Sequence, residues 1–439
     1  PAAAVLTDPT GPSPADEVPG LESPGVRERF ARLAVDLSPL RVSPPFRRFW
    51  LGQGIKDLAG QLVVVAIPFQ VYQLTGSVFL TSLLGAVDLI PLLTLTLVGG
   101  AVADAVDRRR LLIWTQLGMA VAGAGLVVNA ALPHPRVWAC FVLGFFASAF
   151  FCLGIGGMRS LTPRLVPQDK IAAASVLESV SGSFTSVAGP ALAGILIKFV
   201  GLTATYSFDL AAFAIGIASI VSLPPIAPVP DADRASLQSI IDGFRYIRTQ
   251  PVILGFMLVD LNAMVFGMPM GIFPAIAEKV YGDATLVGYL YAAPYAGALV
   301  SSIASGWIPH VRRQGLAVAI AATAWGLAIV GFGFADTLWL GLLMLALAGA
   351  ADSISAIFRS TIMLTATPEE MRGRLTGIEF AQVASGPTLG NVEAGFVASL
   401  TNLRFSVVSG GIACVVGTIA CAVAFPALVR YDSKKHNLL

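Results

Sequence analysis

Charge is what this sequence has least of. Only 12% of its 439 residues are Asp, Glu, Lys or Arg, about half the roughly 25% of soluble domains, which excludes an ordinary water-soluble enzyme. Histidine is nearly absent: His134, His310 and His436 fall between or after apolar runs, so no HExxH, haem or zinc constellation can be built from them. The four cysteines sit inside apolar segments, Cys140 and Cys152 in one and Cys414 and Cys421 in another. They read as core or lipid-facing packing rather than a disulfide framework. A formal net charge of +2 is too balanced for a nucleic-acid footprint. The first 25 residues lack the charged start and apolar stretch of a signal peptide and read as a disordered tail with no cleavage expected. No nucleophile, base or metal cluster is visible, so neither catalysis, a cofactor nor a metal is expected.

What is abundant is hydrophobic length, with 56% hydrophobic residues. A transmembrane helix takes roughly 20 to 25 residues. Apolar runs of that size occur at about 49–74, 78–101, 111–132, 137–158, 171–197 and 203–223, then at about 251–275, 286–308, 316–335, 337–363, 377–399 and 405–429. They predict an all-α membrane protein of twelve spans in two sets of six. The expected organisation is a tail over 1–48, a six-helix bundle over 49–223, a linker over 224–250, a second bundle over 251–429 and a tail over 430–439. Residues 26–37 have the spacing of a short amphipathic helix, lying on the membrane surface or packed on the protein. A second amphipathic stretch falls near 236–247.

Most of the 28 lysines and arginines fall on one side of these spans; only Arg136, Lys198, Lys279 and Arg404 fall on the other, and Lys56 alone is left inside a span. This count places Arg359, at the end of span 10, on the basic side. The positive-inside rule then puts both termini in the cytoplasm. The halves also look like parallel copies. Residues 100–104 match 306–310, Pro167 with Glu178 matches Pro368 with Glu379, Gly189 and Gly194 match Gly390 and Gly395, and Arg159-Ser160 resembles Arg359-Ser360. Such a repeat predicts a site between the halves near the midplane, with access switched by rocking.

The most specific stretch is the turn at 99–110, GGAVADAVDRRR. Gly100 permits close backbone approach, Asp107 is placed to cap the start of span 3, and Arg108, Arg109 and Arg110 hold the loop on the basic side. With Asp104, these residues resemble the loop 2-3 motif of the major facilitator superfamily, Gly-x-x-x-Asp-Arg-x-Gly-Arg-Arg, with Ala105 where Arg is usual and Asp107 where Gly is usual. In that superfamily the motif latches span 2 to span 11 in the outward-open state. Gly189, Pro190 and Gly194 in span 5 resemble its antiporter motif, although a plain kink or packing face explains them equally. Residues 290–298 (LYAAPYAGA), Ser305-Gly306 and 367–374 (TPEEMRGR) resemble the bacterial efflux family that contains the enterobactin exporters and related drug and siderophore exporters. The similarity extends over about 40–430. It implies a proton-driven exporter in a bacterial plasma membrane.

An ionisable residue at the bilayer centre costs about 2.5 to 3.5 kcal/mol on insertion scales and usually faces a wet cavity. Asp88, Asp260 and Asp352 lie near the middles of spans 2, 7 and 10, and Asp57 a turn from the middle of span 1. By the resemblance, spans 1, 4, 7 and 10 line the cavity. Asp57, Asp88, Asp260 and Asp352 are the expected proton or substrate couplers, with fixed ion pairs or interhelical hydrogen bonds as the competing reading. Gln53, Lys56, Gln61 and Asn262 are the expected polar cavity wall. Glu178, Glu379 and Arg359 are expected to gate. Phe145, Phe146, Phe150 and Phe151 with Tyr291 and Tyr295 are candidates to contact a flat substrate or to pack. The expected partners are a small molecule, protons and the lipid bilayer, with no nucleic acid and a monomeric chain. Proton-coupled uptake and a transport-inactive receptor or scaffold are the alternatives; the acidic inventory suits cationic or neutral compounds better than a trianionic siderophore.

Overall fold

The computed structural model describes residues 36–159, 161–224 and 237–432, and of 96–105, 159, 237–240 and 309 the backbone only. Residues 1–35 of the N-terminal tail, which hold most of the expected amphipathic helix, Ser160, the linker residues 225–236 and the C-terminal residues from 433 lie outside the described residues.

The chain is helical because backbone N–H and C=O groups have no water to bond in a bilayer core, and a helix satisfies them internally. Span 1 runs Pro44–Thr75, capped by the Ser43 hydroxyl on the Phe46 amide and ended by Gly76 in the left-handed region. Spans 2, 3 and 4 are Val78–Ala105, Arg108–Ala131 and Val137–Arg159. Spans 5 and 6 form one continuous helix, Ile171–Val221, broken only at Gly201, whose φ of 82° suits glycine. Span 7 is Pro251–Gly267; the chain then breaks at Met268 and Pro269 and continues as the helix Phe273–Lys279. Spans 8, 9 and 10 are Val287–Ile303, Gln314–Gly333 and Leu338–Ala366, and spans 11 and 12 are Glu369–Leu400 and Leu403–Ala424. The count is therefore twelve, although among the described residues ten helical segments are long and apolar enough to cross a membrane. Spans 5 and 6 register as one, and span 11 is too polar to qualify.

The halves repeat their packing. Span 1 lies on span 6, 2 on 4, 3 on 4 and 3 on 6; in the second half 7 lies on 12, 8 on 10, 9 on 10 and 9 on 12. Span 2 meets span 11 and span 5 meets span 8 across the halves.

Three apolar cores show how the halves meet. At the end bearing the arginine loops, Phe46, Leu112, Leu177 and Ile220 form a core wholly within the first half. Ile253, Val318, Phe358 and Leu428 form another wholly within the second. At the far end one core spans both, joining Leu62, Phe69 and Ile197 to Phe273, Val287 and Leu290. The molecule is closed at the far end, and its two cores stay apart at the basic end.

Closure at the far end depends on small residues. A side chain at Gly194 of span 5 would sit 2.6 Å from the Thr285 carbonyl oxygen, and one at Gly288 of span 8 would collide with the Pro190 carbonyl. On span 11, a side chain at Gly395 would collide with Ser82 of span 2. Lys198 adds an ion pair to Asp283 at 2.8 Å across the same seam.

Candidate functional site

The second half carries a charge cluster built from three spans. Arg359 on span 10 places Nη1 at 2.5 Å from Asp260 Oδ1 on span 7, with side-chain exposures of 7% and 3%. The same nitrogen donates to Ser355 Oγ at 3.1 Å. Gln382 of span 11 donates to Asp260 Oδ2 at 2.9 Å and to the Met257 carbonyl at 3.0 Å. Asp352, one helical stretch below on span 10, stands 3.7 Å from Arg359 Nη2 and is 38% exposed. One cation thus faces two carboxylates. Arg359 does not stand at the basic-side end of its span, as counting basic side chains suggests, because span 10 continues about two turns further to Ala366 and buries it. Lys56 is correspondingly not the only cation inside a span. Glu379 lies on span 11 within the electrostatic reach of Arg359.

The first half carries a smaller counterpart. Lys56 Nζ pairs with Asp57 Oδ1 at 2.8 Å; the lysine side chain is 8% exposed and the aspartate 53%. Lys56 faces inward because Gly216 on span 6 makes room: a side chain there would meet the Lys56 Cβ at 3.2 Å. Gln53 donates to the Gly216 carbonyl and to Ser219 Oγ, both at 3.1 Å, and accepts from Gln116 of span 3 at 2.8 Å. Gln53 and Lys56 therefore pack between spans 1, 3 and 6 rather than lining a cavity. Of the helical row Gln53, Asp57 and Gln61, only Asp57 is exposed; Gln61 is half-buried beside Gly189 of span 5. Asn262 likewise packs against a neighbouring span. It donates to the Cys414 carbonyl at 2.8 Å and to Thr418 Oγ1 at 3.4 Å on span 12, where Gly417 leaves it space.

The remaining candidates are dispersed. Asp88 accepts from Ser148 Oγ of span 4 at 2.7 Å. Glu178, exposed on span 5, accepts from the Thr162 hydroxyl. Tyr291 is buried, donating to the Met270 carbonyl at 3.0 Å and stacking edge-on against Phe273, so it packs; Tyr295, Phe146 and Phe151 stay exposed. Of Gly100 and Asp104 only the backbone is described. It is helical, so the turn is only Val106 and Asp107. Asp107 Oδ1 accepts from the Arg109 and Arg110 amides at 2.8 and 3.3 Å, while the Arg109 side chain binds the Ile220 and Val221 carbonyls that end span 6. Among the described residues no three His, Cys, Asp or Glu side chains gather as a metal site.

Sequence reasoning leaves Asp209 without a role, as one aspartate in an apolar run. In the structure it is buried on span 6, its Oδ1 accepts no hydrogen bond, and Lys56 is the cation whose field reaches it. The signal available along the chain is its spacing of seven from Gly216, which puts both on one face of the helix.

The family profile described as "Transmembrane secretion effector" matches residues 34–437. The chain is 30% identical over 386 residues to the "Enterobactin exporter EntS" of Citrobacter koseri, covering 88% of this chain and 93% of that one. It is 29% identical over 390 residues to the protein of that name from Shigella boydii serotype 4, covering 89% and 94%. Among solved structures, the nucleoside transporter NupG superposes with a TM-score of 0.69 at 13% identity, over 88% of this chain and 100% of that one. A bacterial homologue of the iron transporter ferroportin in an inward-facing state gives 0.67 at 16%, over 88% and 98%. These superpositions establish the shared twelve-helix architecture.

Proposed function

We propose, for a chain that belongs to the transmembrane secretion effector family of the major facilitator superfamily, the export of a small molecule from the cytoplasm in exchange for protons. The chain is a multi-pass membrane transporter and not an enzyme. In this reading it sits in a bacterial plasma membrane with the arginine loops and both termini in the cytoplasm, and the halves 49–223 and 251–429 rock about the midplane. The cytoplasmic end is then the open one.

The observation that carries the reading is the cluster of Asp260, Arg359 and Asp352. Two carboxylates around one guanidinium carry a net negative charge when both are ionised. Enclosing such a charge away from water costs several kcal/mol, so the basic end closes readily only when that charge is neutralised. A proton on Asp352, the more exposed carboxylate, does this; so does a cationic group of a bound substrate. Since either suffices, each replaces the other, which is the logic of exchange. Asp57, paired to the buried Lys56, provides an exposed acid in the first half, and Asp88 is proposed as a further one. Glu178 and Glu379 are proposed to close against basic groups at the cytoplasmic mouth.

The substrate is proposed to be a siderophore or an amphipathic drug, the first by analogy with the exporters named above. The exposed Asp57 and the half-buried Asp352 favour cationic or neutral compounds. The test is proton release from purified protein on adding cationic dyes or a catecholate siderophore, repeated with Asp57→Asn, Asp88→Asn, Asp260→Asn and Asp352→Asn. The expected result is release with one ligand class, lost in Asp352→Asn or Asp260→Asn. Ligand binding without proton release in the parent protein overturns the exchange mechanism.

A further inference from the structure

The helix Leu237–Thr249, between the two halves in sequence, has one face accounted for. Gly243 and Ile247 turn onto the second half, a side chain at 243 would meet Ile378 Cδ1 at 2.7 Å, and Asp242 faces Arg374 at 3.9 Å. The opposite face carries Ile241, Phe244, Arg245 and Arg248, spaced to share one side of a helix, and all four are exposed. This face and the stripe Leu254, Leu258 and Leu261 of span 7 border a cleft of about 610 Å³, with Gln382 also in its lining. Among the described residues neither Arg245 nor Arg248 enters an ion pair.

We propose that this cleft binds one anionic phospholipid, its phosphate between Arg245 and Arg248 and an acyl chain along Leu254, Leu258 and Leu261. Charge complementarity selects the headgroup: two guanidiniums that have no carboxylate partner among the described residues attract a phosphate and match its oxygens bidentately. The leucines select a lipid over a soluble anion. Their stripe extends about 10 Å along the helix, within the roughly 15 Å of hydrocarbon in one leaflet, and it starts beside Pro251, where span 7 leaves the helix that carries the arginines. Basic pockets beside membrane helices on the basic side are suited to acidic headgroups. Gln382 both lines the cleft and holds Asp260, so an occupied cleft supports the Arg359 cluster from behind.

The experiment is native mass spectrometry of the full chain extracted from nanodiscs of equal phosphatidylglycerol and phosphatidylcholine. The parent protein is expected to retain one phosphatidylglycerol in preference to phosphatidylcholine. Each arginine removed is expected to lower that preference about five-fold, so Arg245→Gln with Arg248→Gln lowers it about twenty-five-fold. Leu258→Trp, which fills the cleft and keeps both arginines, lowers retention of the lipid as well. Arg47→Gln with Arg48→Gln, exposed at the same end of the first half, leaves the preference unchanged. Equal retention of the two lipids by the parent, or an equal loss in both arginine pairs, overturns the proposal. Displacement by glycerol phosphate at the concentration of the lipid also overturns it, since that identifies a phosphate site indifferent to the acyl chain.

Discussion

Removing Arg359 while leaving its carboxylates strands a buried charge, and the consequence can be sized. Asp260 is 3% exposed, so no water replaces the guanidinium when Arg359→Met is made, and Gln382 satisfies only one carboxylate oxygen. Breaking a buried pair from one side costs about 3 to 5 kcal/mol. For a half of this size that is a fall in Tm of roughly 6 to 20 °C. Asp260→Asn is expected to lose less, because Asp352 still faces the arginine at 3.7 Å. Replacing both residues removes both charges, and apolar or neutral packing in place of a buried pair is often neutral. The double variant should therefore be more stable than Arg359→Met alone, with a coupling of at least about 1.5 kcal/mol. The assay is detergent-solubilised thermal unfolding followed by tryptophan emission, for which Trp325 is a well-placed reporter, buried and donating to the Gly267 carbonyl at 2.8 Å. Losses that add to within about 0.5 kcal/mol would refute the claim that this pair is an energetic unit.

Three further outcomes follow from the seam and the cap. Gly288→Val places a side chain against the Pro190 carbonyl and should open the far end, so that a cysteine at position 57, in a background with Cys421 replaced, loses labelling by an impermeant thiol reagent applied from the basic end; unchanged labelling would show the seam tolerates the valine. Asp283, outside the spans, is held down to about 2, first by its hydrogen bond from Lys198. Its stabilisation of the closed seam is complete above the ordinary carboxylate range near 4 and is lost only as pH falls through about 2, so Asp283→Asn should loosen the far end equally at pH 5.5 and 7.5, and a pH-dependent effect would contradict this. Asp107→Ala removes the cap on the Arg109 and Arg110 amides and should lower stability by about 1 kcal/mol, with Asp107→Asn restoring most of it in the same unfolding assay.

The sequence by itself determined the spans, their pairing into two like halves and the cap at Asp107. Each follows from local rules: an apolar run in lipid has only the helix available, and a carboxylate just before a helix reaches its first amides. Even the break at Gly201 falls where the apolar runs part. Which way each polar side chain turns was decided only by the tertiary structure. A helix apolar on every side carries little facial information, so Gln53, Lys56 and Asn262 read as cavity residues although spans 6 and 12 claim them. Arg359 read as the basic-side end of span 10 because a charge near the end of an apolar run looks terminal. Its partner Asp260 lies on another span, and only the packing of spans 7, 10 and 11 brings guanidinium, carboxylate and Gln382 together. The closed end was likewise invisible along the chain. It depends on Gly194 meeting Gly288 and Ser82 meeting Gly395 across the two halves, contacts set by helix docking rather than by any residue's own preference.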